Sequence, residues 1–123
     1  MKGLILQDWI TIRGQNDTTS VTQGANGWVD LGDAEDLAFF LDVREVSTIA
    51  PKMAYETAAC EQAGAFLPMV PAFAPVIGQR VDWVYTNMAG VPPARFIRWK
   101  LQPGGVPWDI TFRLWLASYA WTK

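Results

Sequence analysis

The feature that most constrains this chain is the alternation of apolar and other side chains with a period of two residues. The alternation is clearest in three segments, at positions 36–47, 94–102 and 108–117. Because side chains of a β-strand point alternately to its two faces, each segment predicts a strand with one buried face. The apolar parity holds Leu37, Phe39, Leu41 and Val43 in the first segment, Ile97, Trp99 and Leu101 in the second, and Ile110, Phe112, Leu114 and Leu116 in the third.

Less regular alternation predicts further strands around these three. Positions 2–13 are compatible with one bent strand or with two strands, and 28–31 predicts a short strand preceded by an Asn-Gly turn. Positions 53–57 and 81–86 also alternate, with Met53, Tyr55 and Thr57 on one parity of the former. We expect these segments to complete the sheets that the three strongest strands begin.

Two long segments are rich in residues that interrupt regular structure. Positions 14–27 are polar and predict a loop, with room for a short strand at 18–22. Positions 63–78 carry three prolines, which exclude a regular helix or a central strand there. The best helical candidate, 58–66, is marginal in length, so we expect little helix.

The chain has 123 residues, half of them hydrophobic, which suits one domain with its own core. Seven to eight short strands separated by turns predict an all-β fold, a single antiparallel β-sandwich of jelly-roll type over residues 1–123. Only 103–107 separates the strands around Ile97 and Phe112. This short connection predicts that those two strands pair as a hairpin.

Missing residue types weaken most enzymatic functions. The chain has no histidine, the commonest general base near neutral pH and a frequent metal ligand. Its single cysteine, Cys60, can form neither an internal disulfide nor a thiolate cluster. We therefore predict a protein that is not an enzyme, with no catalytic residue, no metal site and no cofactor.

Charge and hydropathy disfavour two classes of partner. Ten basic and twelve acidic residues give a net charge of −2, without the basic footprint that nucleic-acid binding requires. No apolar run approaches the roughly 20 residues that span a bilayer, and positions 1–9 do not resemble a signal peptide. We expect synthesis in the cytoplasm and neither a nucleic-acid nor a membrane partner.

Aromatic residues are unusually frequent, with seven tryptophans, and several fall on the parity opposite to the core. Trp115 lies opposite to Ile110 and Phe112, and Tyr119 and Trp121 continue its parity if the strand persists. Three explanations remain open: a loop such as 63–78 covers these rings, they form a protein–protein interface, or they stack on a sugar.

Two arginines share the outer parity with those rings. Arg98 and Arg113 lie on the two strongest C-terminal strands, where they can pair across strands with acids such as Asp42 or Asp109, or contact another subunit. The candidate interface residues are Phe40, Phe96, Arg98, Arg113, Trp115, Tyr119 and Trp121.

The order of strand motifs is similar to that of small β-sandwich proteins encoded among bacteriophage structural genes. The similarity lies in 28–32, 36–46 and 55–57, then in the ARFIRWK sequence at 94–100 and the WDITFR sequence at 108–113, about two thirds of the chain. The resemblance implies a virion protein of the capsid decoration or head and tail accessory type. Its partners would be the major capsid protein or neighbouring copies of itself.

A second resemblance keeps an alternative open. The same strand pattern is similar to carbohydrate-binding and discoidin-type sandwiches. The alternative function is therefore a carbohydrate-binding module or a receptor-binding accessory protein. Flat rings side by side in a groove with Asp or Asn beside them would favour a sugar, whereas rings spread over a broad surface would favour a protein.

Overall fold

A computed structural model describes residues 2–15, 18–32, 35–85 and 91–119. These residues form nine strands and two short 3-10 turns, the latter at Ala25–Gly27 and Ala63–Ala65. The strands, numbered along the chain, are β1 Lys2–Gly14, β2 Val21–Thr22, β3 Val29–Asp30, β4 Asp36–Val46, β5 Lys52–Ala58, β6 Leu67–Pro68, β7 Gly78–Val84, β8 Phe96–Gln102 and β9 Trp108–Tyr119.

The strands form two antiparallel sheets, which confirms the predicted β-sandwich. Sheet A has the order β1-β9-β4-β7, and sheet B has the order β2-β8-β5-β6, with β3 also paired to β8. If β2 and β3 are taken as two halves of one strand, the strands pair from the outside of the chain inwards: β1 with β9, β2 and β3 with β8, β4 with β7, and β5 with β6. This nested pairing, folded into two sheets, is jelly-roll connectivity.

The predicted hairpin of β8 and β9 is wrong. β8 pairs with β5 in sheet B, whereas β9 pairs with β1 and β4 in sheet A. The segment between Gln102 and Trp108 therefore crosses from one sheet to the other, with Gly105 at a φ of 88°. A short Pro-Gly connection suits an inter-sheet corner as well as a hairpin, and the alternation of the flanking strands is the same in both.

The core lies between the sheets and takes one parity from each strong strand. Phe39 of β4 stacks on Tyr55 of β5 with ring centroids 4.0 Å apart, and Trp99 of β8 meets Phe112 of β9 edge-on at 5.2 Å. Trp99 is 3% exposed, as its parity predicts. The two ring pairs tie sheet A to sheet B, since each joins one strand of each sheet.

The first strand is continuous but irregular. β1 runs along β9 from Lys2 to Gly14 with register shifts between Ile5 and Gln7 and between Gln7 and Ile10. One of the two predicted alternatives, a single bent strand, is therefore the one observed. Its last residue must be glycine, because a Cβ there would overlap the indole of the buried Trp108.

Candidate interaction surface

The outer face of sheet A carries a row of large apolar side chains that crosses all four strands. Trp115 of β9 is in register with Ile5 of β1 and with Phe40 of β4, and Phe40 is in register with Val81 of β7. Between 40% and 48% of each of these residues is exposed. Large apolar groups on adjacent strands thus form one continuous ridge on the solvent side of the sheet.

A group of aromatic rings continues this ridge on the next row. Trp83 is 41% exposed; its ring lies nearly parallel to that of Tyr85, with centroids 5.7 Å apart, and 5.6 Å from that of Tyr119. The residues in register beside Trp83 are Ala38 and then Ala117, whose small side chains leave room for the large rings. We call the combined surface the aromatic face: Ile5, Phe40, Val81, Trp83, Tyr85, Trp115 and Tyr119.

The other end of the same face is charged. Arg113 of β9 lies 3.5 Å from the Asp42 carboxylate of β4, and both side chains are about 30% exposed. The Trp9 ring lies 4.3 Å from the Arg44 guanidinium and 4.7 Å from that of Arg113. The apolar ridge therefore has a rim of arginines and aromatic rings, the residue types enriched in protein interfaces.

The Arg113 guanidinium is only partly satisfied. Its Nε is buried without a hydrogen-bond partner, and its centre lies 5.4 Å from the Trp115 ring. Together with Phe40 and Val81, these two residues border a depression of about 150 Å³ on the sheet surface.

The outer face of sheet B differs because another segment of the same chain covers part of it. Arg98 of β8 donates from Nε to the Glu56 carboxylate at 2.8 Å, and both side chains are at most 8% exposed. The Arg98 guanidinium also lies 4.0 Å from the Phe66 ring, which meets Trp28 edge-on at 4.7 Å. Phe66 belongs to the proline-rich segment, so that segment covers the part of sheet B around Arg98.

The predicted interface residues accordingly separate into two groups. Phe40, Arg113, Trp115 and Tyr119 lie together on sheet A, whereas Phe96 and Arg98 lie on sheet B. Arg98 differs from expectation in two ways. It is buried, and its partner is Glu56 and neither Asp42 nor Asp109. Trp121 lies outside the described residues. The pairing of Arg113 with Asp42 is as predicted.

Four residues of the aromatic face were missed by sequence reasoning: Ile5, Val81, Trp83 and Tyr85. The alternation of Val81, Trp83 and Tyr85 was visible, but it did not say which parity faces the core. Val84 fills the core at 2% exposed and Asp82 pairs with Arg80 at 2.8 Å, so the larger residues point outwards.

Two searches of the described residues bear on other kinds of site. No helix in these ranges is both long and apolar enough to cross a membrane. Nor do three or more Cys, Asp or Glu residues gather there in a group that could hold a metal ion.

Comparisons with known proteins add no relative. No protein-family model matches this chain. No curated protein matches it either. Function must therefore be argued from the fold and from the aromatic face.

Proposed function

We propose that this protein is a structural component of a bacteriophage virion that decorates or cements the capsid through its aromatic face. The observation that carries the proposal is the uninterrupted ridge of Ile5, Trp115, Phe40 and Val81, each at least 40% exposed on the open face of sheet A. Soluble monomers rarely keep a contiguous apolar surface of this kind, so a partner is expected to bury it.

The chemistry of the surface favours a protein partner. Its rings lie on three of the four strands of a sheet, Ile5 lies on the fourth, and its rim holds Arg44 and Arg113 beside Trp9. Tryptophan, tyrosine and arginine supply most interface hot spots. A decoration protein also binds in many copies on one particle, so a modest contact for each copy is sufficient.

The assignment to a virion rests on the resemblance of the strand sequences and is compatible with the fold. Jelly rolls occur among viral capsid domains and among lectins. We propose the major capsid protein or neighbouring copies of this chain as partners, and the virion as the location. The role proposed is binding and not catalysis.

A sugar-binding role has weaker support. Trp28 and Phe96 do lie at an open cleft of about 460 Å³ that Asp30 also lines. However, the Asp30 carboxylate already accepts hydrogen bonds from Nε and Nη2 of Arg95 at 3.1–3.2 Å. The carboxylate is thus occupied, and the larger aromatic surface lies on the other sheet.

The test is co-sedimentation of the purified protein with particles of the major capsid protein encoded in the same genome. The double variant Phe40→Ala, Trp115→Ala should lose at least tenfold in particle affinity, since the loss of even one hot-spot contact of about 2 kcal/mol exceeds the roughly 1.4 kcal/mol that corresponds to a factor of ten. The matched control is Leu67→Ala, Val76→Ala, which removes two apolar side chains exposed outside the aromatic face.

Three outcomes would contradict the proposal. The double variant could bind as tightly as the natural protein, or the control could lose affinity equally. Alternatively, a large fall in melting temperature with binding retained in the folded fraction would show that both rings act only in stability. A glycan array that detects tight sugar binding abolished by Trp28→Ala would support the alternative function.

A further inference from the structure

A second binding feature lies on the outer face of sheet B, opposite to the aromatic face. It is a cleft of about 290 Å³ between β5, β8 and the proline-rich segment. Its lining residues are Lys52, Ala54, Glu56, Pro68, Val70, Pro71, Ala72, Lys100 and Gln102.

The cleft exists because the edge of sheet B bulges. Met69 donates to the carbonyl of Tyr55 at 2.9 Å, and Phe73 exchanges two hydrogen bonds with Met53 at 2.7 and 3.0 Å. Between these two anchors, the three residues at positions 70–72 stand opposite Ala54 alone. The extra residues, one of them a proline without an N–H donor, leave the line of the sheet and form one wall of the cleft.

The floor of the cleft is small and apolar. Ala54 is in register with Lys100 on β8, and its methyl group lies between two long outward residues of β5. Lys52 and Glu56, the next outward residues of the same strand, stand on either side of it. A cavity thus opens over Ala54, with an alanine and proline wall on one side and charged side chains around it.

The charges around the cleft are predominantly positive. The Glu56 carboxylate is 5% exposed and is already held by Arg98 Nε at 2.8 Å. Lys100 Nζ lies 3.9 Å from the other oxygen of Glu56, beyond hydrogen-bond distance, and keeps a third of its side chain exposed. Lys52 is exposed at the other end. Two lysines and one glutamate therefore line the cleft, and the glutamate is already paired with Arg98, in a chain whose net charge is −2.

The remaining polar residue of the cleft is committed elsewhere. Gln102 donates from its amide nitrogen to the carbonyl of Thr18 at 2.6 Å, and its amide oxygen accepts from the Ser20 hydroxyl. It is thus a fixed wall of the cleft. The donors that remain for a ligand are the ammonium groups of Lys52 and Lys100.

From these features we propose that the cleft binds a carboxylate that carries a short apolar stem. The stem lies over Ala54 against Val70 and Pro71, and the carboxylate accepts charge-assisted hydrogen bonds from Lys100 and Lys52. A neutral apolar molecule would make no use of either ammonium group. Inorganic phosphate would match their charge but has no apolar part to bury, so it should bind more weakly.

Two sources of this chemistry are open to experiment: a free short-chain carboxylic acid, or the C-terminal carboxylate of another protein chain. The probes are 4-methylpentanoate for the first and N-acetyl-glycyl-leucine for the second. Each is titrated into the full-length protein labelled with nitrogen-15, and amide chemical shifts are followed. The isosteric 4-methylpentanamide and inorganic phosphate are the comparison ligands.

We expect a carboxylate probe to shift the amides of β5, β8 and positions 68–72 with a dissociation constant of about 1 mM, an affinity that few atoms can supply. The amide and phosphate should bind at least tenfold more weakly. Lys100→Met should reduce the affinity at least fivefold, and Ala54→Ile should abolish binding by filling the cleft. Arg13→Met, which removes an exposed cation from sheet A, should change nothing.

A preference for the free acid or for the peptide identifies the source. Equal binding of acid and amide would overturn the proposal, and so would shifts outside the cleft or undiminished binding by folded Ala54→Ile. A nitrogen-15 spectrum of each variant establishes that the variant is folded before its affinity for the probe is measured. Because particle binding is assigned to sheet A and carboxylate binding to sheet B, either proposal can fail without the other.

Discussion

The outer faces of the two sheets start from the same kind of sequence and end in different environments. Each presents aromatic rings and arginines on the parity opposite to the core. On sheet B, Arg98 is 8% exposed, ion-paired with Glu56 at 2.8 Å and covered by Phe66. On sheet A, Arg113 is 31% exposed and 3.5 Å from Asp42, and the neighbouring Trp115 is 40% exposed.

The difference comes from the chain that follows each strand. The segment after β5 turns back along the edge of sheet B, where its residue Phe66 packs on Trp28. No described segment lies in the same way over the ridge of sheet A, whose residues stay at least 40% exposed. Aromatic residues and arginines on the outer parity therefore stabilise the fold on sheet B, whereas on sheet A they remain exposed and can contact a partner.

The largest expected effect compares the two ion pairs. Glu56→Ala should destabilise the protein by about 3–5 kcal/mol, because it leaves Arg98, which cannot lose its proton, buried without a counter-charge. Asp42→Ala on sheet A should cost about 1 kcal/mol or less, as for other partly exposed pairs. Urea unfolding followed by tryptophan fluorescence gives both values.

A double variant serves as control for that comparison. Glu56→Leu, Arg98→Met replaces the buried pair by apolar groups, so most of the stability lost by Glu56→Ala should return. If Glu56→Ala and Asp42→Ala prove equally mild, water reaches the Arg98 pair, and the contrast between the two faces does not hold.

An intermediate effect compares two phenylalanines of opposite sheets. Phe66→Ala should cost roughly 3 kcal/mol, the low end for a buried phenylalanine, because its ring covers Arg98 and contacts Trp28. Phe40→Ala should cost about 1 kcal/mol or less, the contribution of a cross-strand pair on an exposed face. Thermal unfolding of the two variants measures the difference.

The binding assay completes this pair of variants. Phe66→Ala should keep its affinity for particles in the folded fraction, whereas Phe40→Ala should lose part of it. The reverse result would assign the interface to sheet B and would refute the aromatic face as the docking surface.

The sequence was sufficient for the three strongest strands and for their core parity, because both are local. Alternation alone located β4, β8 and β9 and placed Trp99 in the core. The sequence could not assign a strand to a sheet, because β8 and β9 alternate in the same way whether they pair or face each other across the core. That ambiguity produced the wrong hairpin.

The same ambiguity limited prediction of the interaction surface. Parity placed Arg98 and Trp115 outside the core, but it does not distinguish one outer face from the other. Nor can it show that a segment more than thirty positions earlier, at Phe66, covers Arg98, since that contact depends on how the chain turns after β5. Burial of outward-facing residues is a property of the assembled sandwich and not of any single strand.

The smallest expected effect concerns the exposed ion pair at the open cleft of sheet B, which sharpens the contrast with the buried pair beside it. Hydrogen bonds from Arg95 and from the Gly32 amide lower the pKa of Asp30 below its usual value of 3.8. A carboxyl group with a lowered pKa in the folded protein stabilises the fold above pH 4, and this contribution is lost as the pH falls through the folded pKa. Asp30→Asn should therefore melt slightly below the natural protein at pH 7, with the gap closing towards pH 3. Because both side chains of the pair are exposed, the gap at pH 7 should shrink in 1 M salt, where the Debye length is about 3 Å. The gap produced by Glu56→Ala should persist in the same salt, and a gap for Asp30→Asn that also resisted salt would show that the cleft excludes water.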